Sequence, residues 1–222
     1  MKASLDTNAI IHFYRAGLKD ILFQFFDEGV VIYDQIRSIE LENHGQELLE
    51  EIDKDISSSR IIRYTDDDLR EMSIYSLFVK NVKDNRILYD TGDMGEVYAI
   101  SLAQALGIDC LVTDDIKQGG PHMSLMQFED YIVRPYDFAE ILILRYMIGS
   151  DTAEEAIEYF NRISNSSDMN WSFETHLKEF LRRFILDPYN DDDVKWFEEL
   201  KAKYSIKTKT KIDELFKKIN TK

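Results

Sequence analysis

Short β-like runs alternate with longer helical ones from the N-terminus to about residue 149, and beyond Gly149 the strand signals stop. This contrast constrains the fold more than any other feature of the chain. Alternating strand and helix is the pattern of a parallel sheet covered by helices, whereas a strand-free remainder has to build its core from helices alone. The expected strands are 3–5, 30–33, 60–64, 110–113 and 131–133, with helical segments at 8–16, 18–28, 35–55, 66–84 and 93–106 between them. Gly17, Gly29 and Gly107 fall where a left-handed helix stop is wanted, and Gly45 is a candidate bend within 35–55.

The expectation is therefore an α/β domain over 1–149, three-layered with a central parallel sheet and with 136–148 as its last covering helix, followed by an all-helical extension over 150–222. In the extension, Asp151 and Glu154 have the spacing of a capping box opening a helix at 152–163, and 165–170 reads as a loop. Phe173, Leu177, Phe180, Leu181 and Phe184 recur at three- and four-residue spacing, which marks a strongly amphipathic helix that Pro188 ends. Helices at 191–204 and 208–219 complete the chain.

Composition removes several classes of function. With 44% apolar residues in 222, the chain has the means to bury a core, so disorder is excluded as its main state. No run approaches 18 apolar residues, so no membrane partner is expected, and Asp6 interrupts the N-terminus before any secretory apolar region forms. The single cysteine, Cys110, excludes an intrachain disulfide and a cysteine-cluster zinc site, and the expectation is a reducing, cytoplasmic setting. A net charge of −15 argues against a protein that coats nucleic acid by charge, yet leaves open an enzyme that approaches it through metal ions. Residues 195–222 hold nine Lys against four acids, a net of +5 that leaves −20 for the body.

The placement of acids carries the chemistry. Asp6 directly follows the first strand, and Asp114-Asp115 follow the strand at 110–113. Parallel strands point their carboxyl ends to one edge, where ligands of such sheets bind. On helix 93–106, Ala99, Leu102, Ala103 and Leu106 form the buried stripe, and Glu96, three residues before Ala99, continues it inward. Gly95 leaves room there for close approach of a ligand or backbone. Glu40, near Ile36, borders a buried face, with Glu42 as its competitor. Singly, each acid reads as a helix cap or a solvated charge. Together, converging carboxylates repel one another unless a cation neutralises them, and an oxygen-only donor set selects Mg²⁺ or Mn²⁺. The four His, at 12, 44, 122 and 176, show no ligand spacing and read as ordinary.

Three of these segments carry a family resemblance. Leu5-Asp6-Thr7-Asn8-Ala9-Ile10-Ile11 resembles the opening D-T-N motif of PIN-domain nucleases, the family of VapC-type toxin ribonucleases. Gly95-Glu96-Val97-Tyr98-Ala99-Ile100-Ser101-Leu102-Ala103, followed by Leu111-Val112-Thr113-Asp114-Asp115, is similar to the later helix and strand end of PIN subfamilies, and Ile39-Glu40-Leu41 to the second acidic position. The resemblance implies a PIN-like fold over 1–149 and a metal-dependent endoribonuclease in which Asp6, Glu40, Glu96 and one or both of Asp114 and Asp115 hold one or two Mg²⁺ or Mn²⁺. Asn8 and Thr113 would support that site by hydrogen bonding, and Lys117 is a candidate contact for a substrate phosphate. The partners implied are an RNA substrate, an antitoxin protein and a second copy of the chain. The chain departs from the pattern in its helical extension and in Gln118-Gly119-Gly120-Pro121-His122, which stands where a basic helix often follows the last acid. Two rivals remain: an inactive PIN-like binding module working through its extension, and a haloacid-dehalogenase-type phosphatase. The phosphatase is disfavoured because its general-acid position holds Asn8.

Overall fold

The computed structural model describes residues 1–89, 94–116, 120–127 and 133–221. In it the chain forms two compact units, Met1–Asp137 and Phe138–Lys222. Among the described residues no helix is long and apolar enough to cross a membrane.

The first unit is built on five parallel strands: β1 (Ala3–Leu5), β2 (Val30–Tyr33), β3 (Ile61–Tyr64), β4 (Cys110–Val112) and β5 (Arg134–Tyr136), in the order β3-β2-β1-β4-β5. Strands β1, β2 and β4 are buried along their whole length, as expected of a sheet covered on both faces, and apart from Ser4 in β1 they read as apolar runs for that reason. Register sets Leu5 of β1 opposite Val112 of β4. Helices α1 (Thr7–Arg15), α2 (Lys19–Phe25) and α3 (Gln46–Ser57) connect the strands on one side of β1. Helices α4 (Asp66–Glu71), α5 (Tyr75–Tyr89) and α6 (Met94–Leu106) lead back to β4, and α7 (Pro121–Gln127) to β5. Parallel crossovers are right-handed as a rule, which for this strand order would set α1–α3 on one face and α6 and α7 on the other. The order of connection reverses between β1 and β4, and a doubly wound sheet opens its ligand crevice at that reversal.

Four local expectations are corrected. The segment 35–55 is not one helix. It forms a π-helical turn at Ile36–Glu40 and a 3₁₀ turn at Leu41–His44, then breaks at Gly45, whose φ of +112° favours glycine, before α3 begins. The segment 66–84 divides into α4 and α5 around Ser73, at φ +62°. The last strand among the described residues lies at Arg134–Tyr136 and does not include Val133, while residues 131 and 132 of the expected 131–133 lie outside the described residues. Pro135 is tolerated because Arg134 donates to Asp109 and Tyr136 accepts from Thr113, so the proline nitrogen faces away from β4. The fourth correction concerns a helix start in the second unit.

That unit contains α8 (Phe138–Ile148), α9 (Ala153–Ser166), α10 (Phe173–Leu181), α11 (Asp191–Tyr204) and α12 (Thr208–Ile219). Helix α8 packs on α9, α10 and α11 and is buried from Phe138 through Met147. The capping box of α9 uses Thr152 and Glu155, not Asp151 and Glu154, because Arg145 of α8 holds Asp151 in a two-pronged ion pair at 2.6 and 2.8 Å. The Phe173, Leu177, Phe180 and Phe184 stripe is buried. A π-helical turn at Arg182–Leu186 carries Arg183 inward as well, where it meets both oxygens of Glu140 at 2.9 Å and Asp193 at 2.6 Å.

Candidate functional site

The carboxyl ends of β1 and β4 bring Asp6, Thr113, Asp114 and Asp115 to one edge. The Asp6 N–H still donates to Val112 at 2.9 Å, so the two strands stay paired one residue past the end of β1. The Asp6 side chain is fully buried. Its Oδ1 accepts from the Thr7 N–H at 2.6 Å, capping α1, and its Oδ2 accepts from the Thr113 hydroxyl at 3.3 Å. One oxygen of Asp6 thus caps the helix, and the other is tied to β4 through Thr113. The Thr113 hydroxyl also accepts from the Asp115 N–H at 3.3 Å, so this one buried side chain ties Asp6 to the backbone that carries the later acids. Asp114 is buried and Asp115 half-buried.

Glu96, in the first turn of α6, is 1% exposed, on a helix that packs against β1, β2 and β4. Its neighbour Gly95 receives Glu40. A Cβ built on Gly95 would lie 2.2 Å from Glu40 Oε2 and 2.7 Å from Thr7 Oγ1. The close approach expected at Gly95 is thus made by a carboxylate and a hydroxyl, and the Thr7 hydroxyl donates to Glu40. The π-helical turn explains why Glu40 can reach. The extra residue in that turn lets Ile36 and Leu41 both be fully buried while Glu40 faces Thr7, and π turns of this kind recur at functional sites. Glu42 is exposed.

The surroundings register this charge. Burial, and then the Glu40 carboxylate, hold the Tyr98 phenol above its ordinary pKa. The Tyr98 ring lies 5.0 Å from that of Tyr33, whose hydroxyl donates to Asp66 at 2.5 Å. Asn8 is half-buried and its side chain makes no hydrogen bond to another described residue. Lys117 and the neighbouring Gln118-Gly119 lie outside the described residues.

His12 joins this edge although the four His show no ligand spacing. Its Nδ1 lies 2.6 Å from Asp114 Oδ2, with the Asp114 side chain 1% exposed. A carboxylate only accepts, so Nδ1 is the donor. A signal was present in the sequence: Asn8, His12 and Arg15 fall at intervals of four and three on a helix whose other positions are apolar or buried, so they share its polar face.

In chemistry, the donor set suits a hard divalent cation, since it is made of carboxylates with hydroxyl support. In position, the acids are linked through Thr7, which bonds Glu40, and Thr113, which bonds Asp6. Among the described residues, no three of them hold oxygens within 4.8 Å of one another. No protein-family model, curated protein or solved structure matches the chain.

Proposed function

We propose that the chain is a metal-dependent phosphodiesterase of the PIN-domain kind, acting on single-stranded RNA. The observation that carries this reading is the meeting of Asp6, Thr113, Asp114 and Asp115 at the β1/β4 reversal of a parallel sheet, with buried Glu96 opening the helix that packs on those strands. Asp6, Glu96 and Asp114, with Asp115, would hold Mg²⁺ or Mn²⁺, and Glu40 would stand at the rim. A bound divalent ion supplies Lewis acidity to the phosphate and to an attacking water. The protein's own part is to fix the donors. Thr113 orients Asp6, Thr7 orients Glu40, and the buried edge lowers the local dielectric so that charge on the phosphate is felt strongly.

The test is cleavage of an unstructured RNA by purified protein in Mn²⁺ and in EDTA. Wild type should cleave only with metal, and Asp6→Asn or Glu96→Gln should slow cleavage by about 10²-fold or more, the scale on which loss of one electrostatic stabiliser acts. Equal cleavage in EDTA would refute the reading. A PIN-like module that binds without cutting is the alternative. Its signature would be stabilisation by Mn²⁺ with no cleavage of any single strand.

A further inference from the structure

The acid edge includes one group for which the phosphodiesterase reading has no role, and that group touches an acid directly. We propose that His12 is a positioning residue for Asp114, an inference that rests on the cation-site reading above. Asp114 lies two residues past β4, on a stretch of loop, where the backbone alone leaves its carboxylate free to turn. His12 lies on α1, which buries Ala9, Ile10, Ile11 and Phe13 and is therefore a fixed support. The contact joins the two at 2.6 Å. Donation from Nδ1 engages Oδ2 and so sets the rotation of the carboxylate.

This is the arrangement by which metal sites control their ligands: a ligating carboxylate is itself hydrogen-bonded, and the outer partner sets its orientation. It also suits a site built on rigid elements, since the donor comes from a helix that starts at Asp6. One helix thereby controls two acids. Its N-terminal end is capped by Asp6, and its polar face orients Asp114, 102 residues away in sequence from His12. A purely structural role for His12, as a partner that makes burial of Asp114 tolerable, predicts a change in folding but none in metal affinity at a folded site.

The experiment is a Mn²⁺ titration of the full chain, followed by the electron paramagnetic resonance signal of the free aqueous ion, for wild type, His12→Leu and His12→Asn. Leucine removes the donor, and the amide of asparagine places an N–H close to where Nδ1 stands. His12→Leu should weaken Mn²⁺ binding about 10- to 100-fold, the cost typical of losing an outer-shell partner, and His12→Asn should recover most of that loss. Should leucine prevent folding, His12→Ala, which leaves space for water beside Asp114, takes its place. Variants that bind as tightly as wild type would overturn the positioning role, and so would an asparagine variant as weak as leucine, because the N–H would then not be what matters. Failure of the underlying reading is distinguishable: wild type itself would take up no Mn²⁺, and the inference would fall with it.

Discussion

Gly95→Ala should destabilise the first unit, contrary to what helix propensity alone requires. Gly95 lies in the first turn of α6 without a positive φ, so alanine there would ordinarily add up to about 0.8–1 kcal/mol of stability. The structure opposes this, because the new methyl would stand 2.2 Å from Glu40 Oε2, 2.9 Å from Glu40 Cδ and 2.7 Å from Thr7 Oγ1. Glu40 is long enough to swing aside, but only by giving up the Thr7 hydroxyl. A hydrogen bond to a charged group contributes about 1.5–3 kcal/mol. The net expectation is a loss of roughly 0.5–2 kcal/mol, the second quantity less the first. Urea unfolding read by circular dichroism measures it, with the transition of each unit fitted separately. The decisive comparison repeats Gly95→Ala in a Thr7→Ala/Glu40→Ala background, where all three obstructing atoms are gone and the substitution should become stabilising. A stabilising Gly95→Ala in the wild-type background, or an equal loss in both, would refute the proposed packing of Glu40 over Gly95.

Asp55, buried and bonded by Tyr14 at 2.7 Å, Lys19 at 2.6 Å and Arg60 at 3.2 Å, should on change to Asn cost about 1.5–3 kcal/mol at pH 7. Burial alone would raise its pKa, but the Lys19 and Tyr14 bonds outweigh burial and leave it lowered. Its contribution is therefore present above the ordinary carboxylate range and lost as pH falls through its folded value, so wild type should lose urea resistance below about pH 4 more steeply than Asp55→Asn. Burial pushes the Cys110 thiol up to about 12, so native protein at pH 8 should resist iodoacetamide and react only once unfolded; rapid native labelling would contradict this. In the second unit, Arg183→Met should cost about 3–5 kcal/mol by leaving Glu140 and Asp193 buried without their cation, and Glu140→Leu/Arg183→Met/Asp193→Leu should recover most of it.

The sheet was legible where strands are buried on both faces, since β1, β2 and β4 then carry almost no polar positions, Ser4 excepted, to blur the pattern. It was least legible at β5, because a proline within a strand argues against it unless the missing N–H happens to face away from the neighbouring strand. Local patterns also failed where a distant partner decided between equals. Asp151/Glu154 and Thr152/Glu155 have the same spacing, and the ion pair with Arg145 removes Asp151 from the choice. At the candidate site, the acids that follow strands could be placed by topology, and Glu96 by its position on the buried stripe. The approach of Glu40 to Gly95 depends on a π turn that no periodicity announces, and the pairing of His12 with Asp114 depends on the adjacency of β1 and β4, which strand order alone determines.

The central claim is that the acids at this edge share a cation, and thermal melting with and without Mn²⁺ tests it most directly. Saturating Mn²⁺ should stabilise wild type by about 2.7 kcal/mol at a hundredfold excess over Kd, which is several degrees of Tm for a chain of this size. Without metal, Asp6→Asn should melt no lower than wild type, since Asn caps a helix about as well as Asp and relieves repulsion among the acids. Neither Asp6→Asn nor Glu96→Gln should gain comparably from Mn²⁺. A wild-type Tm that Mn²⁺ leaves unchanged, with Asp6→Asn and Glu96→Gln behaving as wild type does, would contradict the account.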